Sequence, residues 1–277
     1  MPGAVDPVIA ADELKARLGE PALRVLDASW SVAEGALETA HRQARIPGAA
    51  FFDIDAVAEQ DSPLPHVFPS APTFQAHARR LGVNDGDEVV VYDQQGLFSA
   101  ARAWFCFKAM SGCARVLDGG LPAWREAGGV LETGAADPTA GDFTARPRPE
   151  LLIDRGGLRT AVAEGAIQWI DARPAPRFRG EAPEPRAGLR SGHGPGAVNL
   201  PFSDLIDHDR LRPAGALRSR VEAAGIDLAR PVAVSCGSGV TACIVLLALE
   251  RLGVEGRLYD GSWAEWASSP DAEIVTG

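Results

Sequence analysis

The chain has 277 residues and a mass of 29.1 kDa, enough for two ordinary domains. Hydrophobic residues make up 46% and charged residues 23%, the balance of a globular protein with ample core material. A formal net charge of −10 argues against nucleic acid or an anionic membrane as partner, and it means that an anionic substrate needs a local cationic patch.

In chain order, the opening residues carry neither a basic stretch nor an apolar one, so no secretory signal is expected and a cytoplasmic location is. A strand-like run, Arg24-Val-Leu-Asp-Ala28, is followed by Arg45-Ile-Pro-Gly-Ala49, by Asp53-Ile-Asp55 and by Ser62-Pro-Leu-Pro-His66. Val89-Val-Val-Tyr-Asp93-Gln-Gln-Gly96 then joins an apolar run to a glycine-bearing turn. Cys106 and Cys113 are expected to flank a helix end, ahead of Asp118-Gly119 and Trp124. Residues 133–150, rich in Gly, Pro, Ala and Thr without apolar periodicity, read as a linker.

The second half repeats the first. Gln168-Trp-Ile-Asp-Ala172, His193-Gly-Pro-Gly-Ala197, Val232-Ala-Val-Ser-Cys236-Gly-Ser-Gly239 and Asp260-Gly261 with Trp266 match the earlier segments at offsets of 142 to 148 residues. The division is therefore 1–132, a linker 133–150, and 151–277. Each copy alternates short β-runs with helices, which predicts an α/β fold: two tandem domains, each a mainly parallel sheet covered by helices on both faces. In the second copy, strands are predicted at 169–171, 197–200, 232–234 and 257–259. Helices are predicted at 158–164, 217–224 and 241–252, the last closed by Gly253. Asp27 and Asp171 end equivalent strands and predict a shared structural hydrogen bond.

The run Ser235-Cys236-Gly237-Ser238-Gly239-Val240-Thr241-Ala242 carries the chemistry. Two glycines within three residues of the cysteine allow a loop whose amides point inward, and the following helix adds its positive end. Both favour a thiolate, the nucleophilic form of cysteine. The first copy has Asp93 where the second has Cys236, and an exposed strand tip would suit either residue. Cys106, Cys113 and Cys243 read as small buried hydrophobes. Arg173, Arg177, Arg179, Arg186 and Arg190 supply a cationic patch within 18 residues.

Two α/β copies with a cysteine loop only in the second resemble the tandem-domain rhodanese-like sulfurtransferases. The resemblance spans essentially the whole chain. It rests on Cys236-Gly-Ser-Gly-Val-Thr241, Leu97-Phe98-Ser99, Val116-Leu-Asp-Gly-Gly-Leu-Pro-Ala-Trp124, Arg177-Phe-Arg-Gly180 and Glu184-Pro-Arg186. Within that family the cysteine loop looks like that of the 3-mercaptopyruvate sulfurtransferases, since thiosulfate-using members tend to carry Arg and Lys there.

The resemblance implies Cys236 as nucleophile and persulfide carrier, Arg177 and Arg186 as anchors for the donor carboxylate, and Gly237, Gly239, Val240 and Thr241 as substrate-binding loop residues. It further implies a Ser–His–Asp relay at Ser238, His66 and Asp55. The implied partners are a small-molecule sulfur donor and an acceptor thiol such as thioredoxin or a small thiol. No cofactor and no metal are expected.

Thiosulfate:cyanide transfer through the same cysteine is the alternative. A cysteine phosphatase would need a basic residue in the loop, and none stands between Cys236 and Glu250. A binding or sulfur-carrying module fits the first copy alone. His193 reads as a turn residue, and His41, His77 and His208 lack ligand-like spacing.

Overall fold

The computed structural model describes residues 5–277, which fall into two units. The first comprises residues up to 61, 68–148 and 208–211; the second comprises 62–67, 149–207 and 212–277. Residues 133–148 thus group with the first unit, and the short segment Ser62–Val67 groups with the second.

In the first unit, β1 (Val8–Ile9), β2 (Leu23–Asp27), β3 (Ala50–Phe51), β4 (Glu88–Tyr92) and β5 (Cys113–Leu117) form a parallel sheet in the order β1-β5-β4-β2-β3. In the second, β6 (Leu152–Ile153), β7 (Gln168–Asp171), β8 (Ala197–Asn199), β9 (Val232–Ser235) and β10 (Arg257–Tyr259) run parallel in the order β6-β10-β9-β7-β8. Adding five to each label of the first sheet gives the second, so the repeat seen in the sequence is a repeat of topology. The central strands read as continuous apolar runs because parallel strands are covered on both faces; Val89 to Tyr92 and Val232 to Ser235 are all buried.

The first unit's helices are α1 (Ala11–Arg17), α2 (Glu38–Gln43), α3 (Ile54–Val57), α4 (Ala71–Arg80), α5 (Ala100–Ala109) and α6 (Gly120–Glu126). Leu14 of α1 and Leu121 and Trp124 of α6 pack on Val25, Val90 and Tyr92 on one sheet face. On the other side of the unit, Phe74 of α4 and Phe107 of α5 meet edge to face with centroids 5.0 Å apart, each also against Phe143. Such aromatic pairs add about 0.5–1.5 kcal/mol beyond their burial.

The second unit carries α7 (Arg155–Ala163), α8 (Ala175–Phe178), α9 (Ala214–Ala223), α10 (Ala242–Arg251) and α11 (Ser262–Ser268). Leu158 of α7 packs with Trp169, Tyr259 and the α11 tryptophans Trp263 and Trp266. Residues 242–249 of α10 are buried throughout.

Helix starts differ from the sequence reading, and the capping explains why. α7 begins at Arg155 because Asp154 accepts from the Gly157 amide at 2.6 Å, and α9 begins directly after Pro213. The end of α10 is as expected: Gly253 is left-handed (φ 79°), with Val254 N donating to Leu249 O at 2.9 Å. No helix among the described residues is long and apolar enough to cross a membrane.

Candidate active site

Cys236 stands where β9 ends, and its loop leads into α10. Its backbone is clamped on both sides by the first turn of α11. The Cys236 amide donates to Ser262 Oγ at 3.2 Å, the Trp263 amide donates to Cys236 O at 3.0 Å, and the Ala264 amide donates to Gly237 O at 2.9 Å. Ser262 is fully buried and left-handed (φ 51°), a conformation unusual for a non-glycine residue, and its hydroxyl donates to Tyr259 O at 2.9 Å. Sequence reading assigned Ser262 no part. The signal was available, since the aligned position in the first copy is Gly120.

Both loops turn on a left-handed glycine, Gly96 at φ 109° and Gly239 at φ 80°. The expectation of an exposed strand tip is wrong for both copies: Cys236 is 2% exposed and Asp93 is 0% exposed. The reason lies in what the amides do. In the first unit the amides of Gln95, Phe98, Ser99 and Ala100 converge on the Asp93 carboxylate at 2.8–3.1 Å. Burial pushes the Asp93 carboxyl up, against the downward pull of those four hydrogen bonds. In the second unit, among the described residues, the amides of Gly237, Ser238, Val240 and Thr241 donate to no acceptor of the protein. Val240 is buried, and Thr241 heads α10 without a side-chain cap bond.

The five-arginine patch resolves into different parts. Arg177 Nη2 lies 3.2 Å from the point where a Cβ on Gly237 would sit, so it stands beside the residue following the cysteine. Glu184 accepts from Arg177 Nε at 3.2 Å and from Arg177 Nη2 at 2.5 Å. Arg173 is buried instead, bonded to Asp171, Glu184 and Gly192 O and lying 4.0 Å over the Trp263 ring. Arg179 pairs with Glu181 at 2.7 Å, and Arg190 donates to Ala267 O and Ser269 O. Arg186 is half-buried. The patch is smaller than its sequence suggests because carboxylates and carbonyls occupy most of it.

Ser238 and His66 come together: His66 Nδ1 lies 3.0 Å from Ser238 Oγ, and both side chains are buried. His66 is left-handed (φ 58°) within the segment that groups with the second unit. Asp55, in the first unit, accepts from Trp30 Nε1 at 3.0 and 3.1 Å. His193 has the expected turn role. It bridges to Val275 as Arg45 bridges to Glu132, and its ring stacks on Phe178 with centroids 3.8 Å apart. Asp27 and Asp171 share their predicted bond, accepting from the amides of Ser29 and Arg173 two residues on. Cys106 and Cys243 are buried as expected, but Cys113 is exposed at the edge where β5 begins.

The model of the rhodanese-like domain matches this chain twice, over residues 10–127 and 155–269. The 3-mercaptopyruvate sulfurtransferase of Escherichia coli K12 is 40% identical over 96% of this chain and 96% of its own length. The human 3-mercaptopyruvate sulfurtransferase is 39% identical over 92% of this chain and 89% of its own length. Among solved structures, Escherichia coli SseA, described as a 3-mercaptopyruvate sulfotransferase with the rhodanese fold, superposes with a TM-score of 0.86 at 38% identity. That match covers 94% of this chain and 99% of SseA. Matched twice by that domain and about 40% identical to these relatives over nearly its full length, the chain belongs to the family of tandem rhodanese-like sulfurtransferases.

Proposed function

We propose that this protein moves sulfur from 3-mercaptopyruvate to an acceptor thiol or cyanide through a persulfide on Cys236, releasing pyruvate. The observation that carries this reading is a cysteine whose loop, among the described residues, leaves the amides of Gly237, Ser238, Val240 and Thr241 without a protein acceptor, with a guanidinium beside the next residue. In the first half-reaction the Cys236 thiolate attacks the donor sulfur. An S–S bond forms, the C–S bond breaks, and its electron pair leaves on carbon as pyruvate enolate. The donor's S–H proton, passed to that carbon, completes pyruvate and leaves the persulfide anionic. The loop amides of Gly237, Gly239, Val240 and Thr241 then hold the outer sulfur. In the second half-reaction the acceptor attacks the outer sulfur and the Cys236 thiolate departs, so ping-pong kinetics follow.

Arg177 and Arg186 hold the donor carboxylate, and their planar donors suit it. Ser238 Oγ donates to the carbonyl oxygen as it gains charge while accepting from His66 Nδ1. Asp55 completes this relay in the reading that the resemblance implies. Thiosulfate as principal donor is less well served, because the neutral Gly237 and Ser238 put no cation beside the outer sulfur. A larger residue at 237 would press on Arg177. A reducing compartment such as the cytoplasm suits the proposal, because the nucleophilic cysteine has to stay reduced, and thioredoxin or a small thiol serves as acceptor.

The test is mass spectrometry of the protein after exposure to mercaptopyruvate. Cys236 should gain one sulfur atom with release of one equivalent of pyruvate. Absence of that gain, or an equal gain in C236S, overturns the proposal.

A further inference from the structure

Arg177 has one of its two donor edges occupied by the protein itself. Glu184, whose side chain is only 1% exposed, takes Nε and Nη2 of Arg177 and, through Oε1, Nη1 of Arg173 at 2.9 Å. Arg173 in turn spends Nε and Nη2 on Asp171 and Gly192 O, and its side chain is 1% exposed, which keeps it from a ligand. Its guanidinium lies against Trp263, whose amide holds Cys236 O. The chain Asp171–Arg173–Glu184–Arg177 therefore ties the substrate-facing arginine to the same scaffold that fixes the nucleophile. It also holds two carboxylates and two guanidinia, so the cluster is formally neutral. Among the described residues Nη1 of Arg177 has no protein partner, and Nη2 lies beside Gly237. The edge left for a ligand is thus Nη1–Nη2, next to the cysteine loop.

We propose that Glu184 is a positioning and specificity-determining residue. It aims the Nη1–Nη2 edge of Arg177 at the donor carboxylate, and its negative charge biases the site towards a singly charged keto-acid donor over a dianion such as thiosulfate. The inference rests on the reading of Arg177 as a donor-binding residue. A dianion gains more than a monoanion from each unit of positive charge and loses more to each negative one. Glu184 removes one positive charge from the site without removing the guanidinium that gives direction. A purely structural carboxylate would affect both donors alike.

The experiment compares kcat/KM for mercaptopyruvate and thiosulfate, with cyanide as acceptor, in wild type, Glu184→Gln, Glu184→Asp and Arg177→Ala. Glu184→Gln keeps the shape and loses the charge. Its thiosulfate-to-mercaptopyruvate ratio should rise by about tenfold or more, the scale of one unit charge at contact distance. An unchanged or lower ratio overturns the specificity role. Glu184→Asp keeps the charge and withdraws it by one methylene, so the KM for mercaptopyruvate should rise by more than kcat falls, with the donor ratio near wild type. An unchanged KM overturns the positioning role, and this variant serves even if the glutamine variant does not fold. Arg177→Ala should raise the KM for mercaptopyruvate. If it does not, the underlying reading of Arg177 falls and takes this proposal with it, whereas a raised KM with an unmoved ratio in Glu184→Gln discards Glu184 alone.

Discussion

The loops around Asp93 and Cys236 use one backbone plan for opposite ends. Each follows the central strand of its sheet, turns on a left-handed glycine, and has its leading carbonyl held by an amide of the following short helix. Leu121 N donates to Asp93 O and Trp263 N donates to Cys236 O, both at 3.0 Å. In the first unit four amides close on the aspartate's own carboxylate, so the ring of donors is filled from within. In the second unit the corresponding position carries a sulfur and no built-in acceptor. A scaffold that gathers amide dipoles must give them an anion. The first copy fills the ring with its own Asp93 carboxyl, and under the proposed function the second keeps the place for the transferred sulfur.

The sharpest way to break this comparison is Cys236→Ser, which should lower pyruvate release by about three orders of magnitude or more while leaving the fold intact. Turnover near wild type would end the account. Asp93→Ala empties the filled loop and strands four buried donors. It should destabilise the protein by about 2–4 kcal/mol in denaturant titration, with turnover per folded molecule close to wild type. A neutral result would mean that those amides do not need their acceptor. His66→Ala should reduce kcat by about a hundredfold, the ordinary range for losing a proton-handling group. If kcat holds, the Ser238–His66 contact is only packing. The smallest effect belongs to Gly237→Ala, whose new methyl would sit 3.2 Å from Arg177 Nη2. The KM for mercaptopyruvate should rise a few-fold with kcat nearly unchanged, a shift of about 1 kcal/mol in binding. A larger loss in kcat than in KM would place the disturbance at the sulfur rather than at the arginine.

Much of this could be read from the chain before any coordinates. The doubled topology was legible because buried parallel strands are unbroken apolar runs, as in Val89 to Tyr92 and Val232 to Ser235. The nucleophile was legible because glycines crowd a cysteine at a strand end, and Asp27 and Asp171 announced their shared bond by standing at equivalent strand ends. Other features depend on groups far apart in sequence. Nothing local marks Arg173 as a buried strut when Arg177, four residues on, faces the loop; Glu184 and Trp263 decide the difference. The burial of Asp93 was missed because a lone aspartate at a strand tip reads as exposed until its four amides are seen to converge. By residue type alone Cys113 reads as a core residue, yet it begins β5 at the exposed end of the strand.

The grouping of Ser62–Val67 with the second unit has a consequence for how the chain can be divided. A gene cut at the repeat boundary would yield one polypeptide with Cys236 and Ser238, and another keeping the imidazole that hydrogen-bonds to Ser238. Neither piece would then hold both members of that hydrogen bond, so the two repeats cannot be parted at their boundary without losing it.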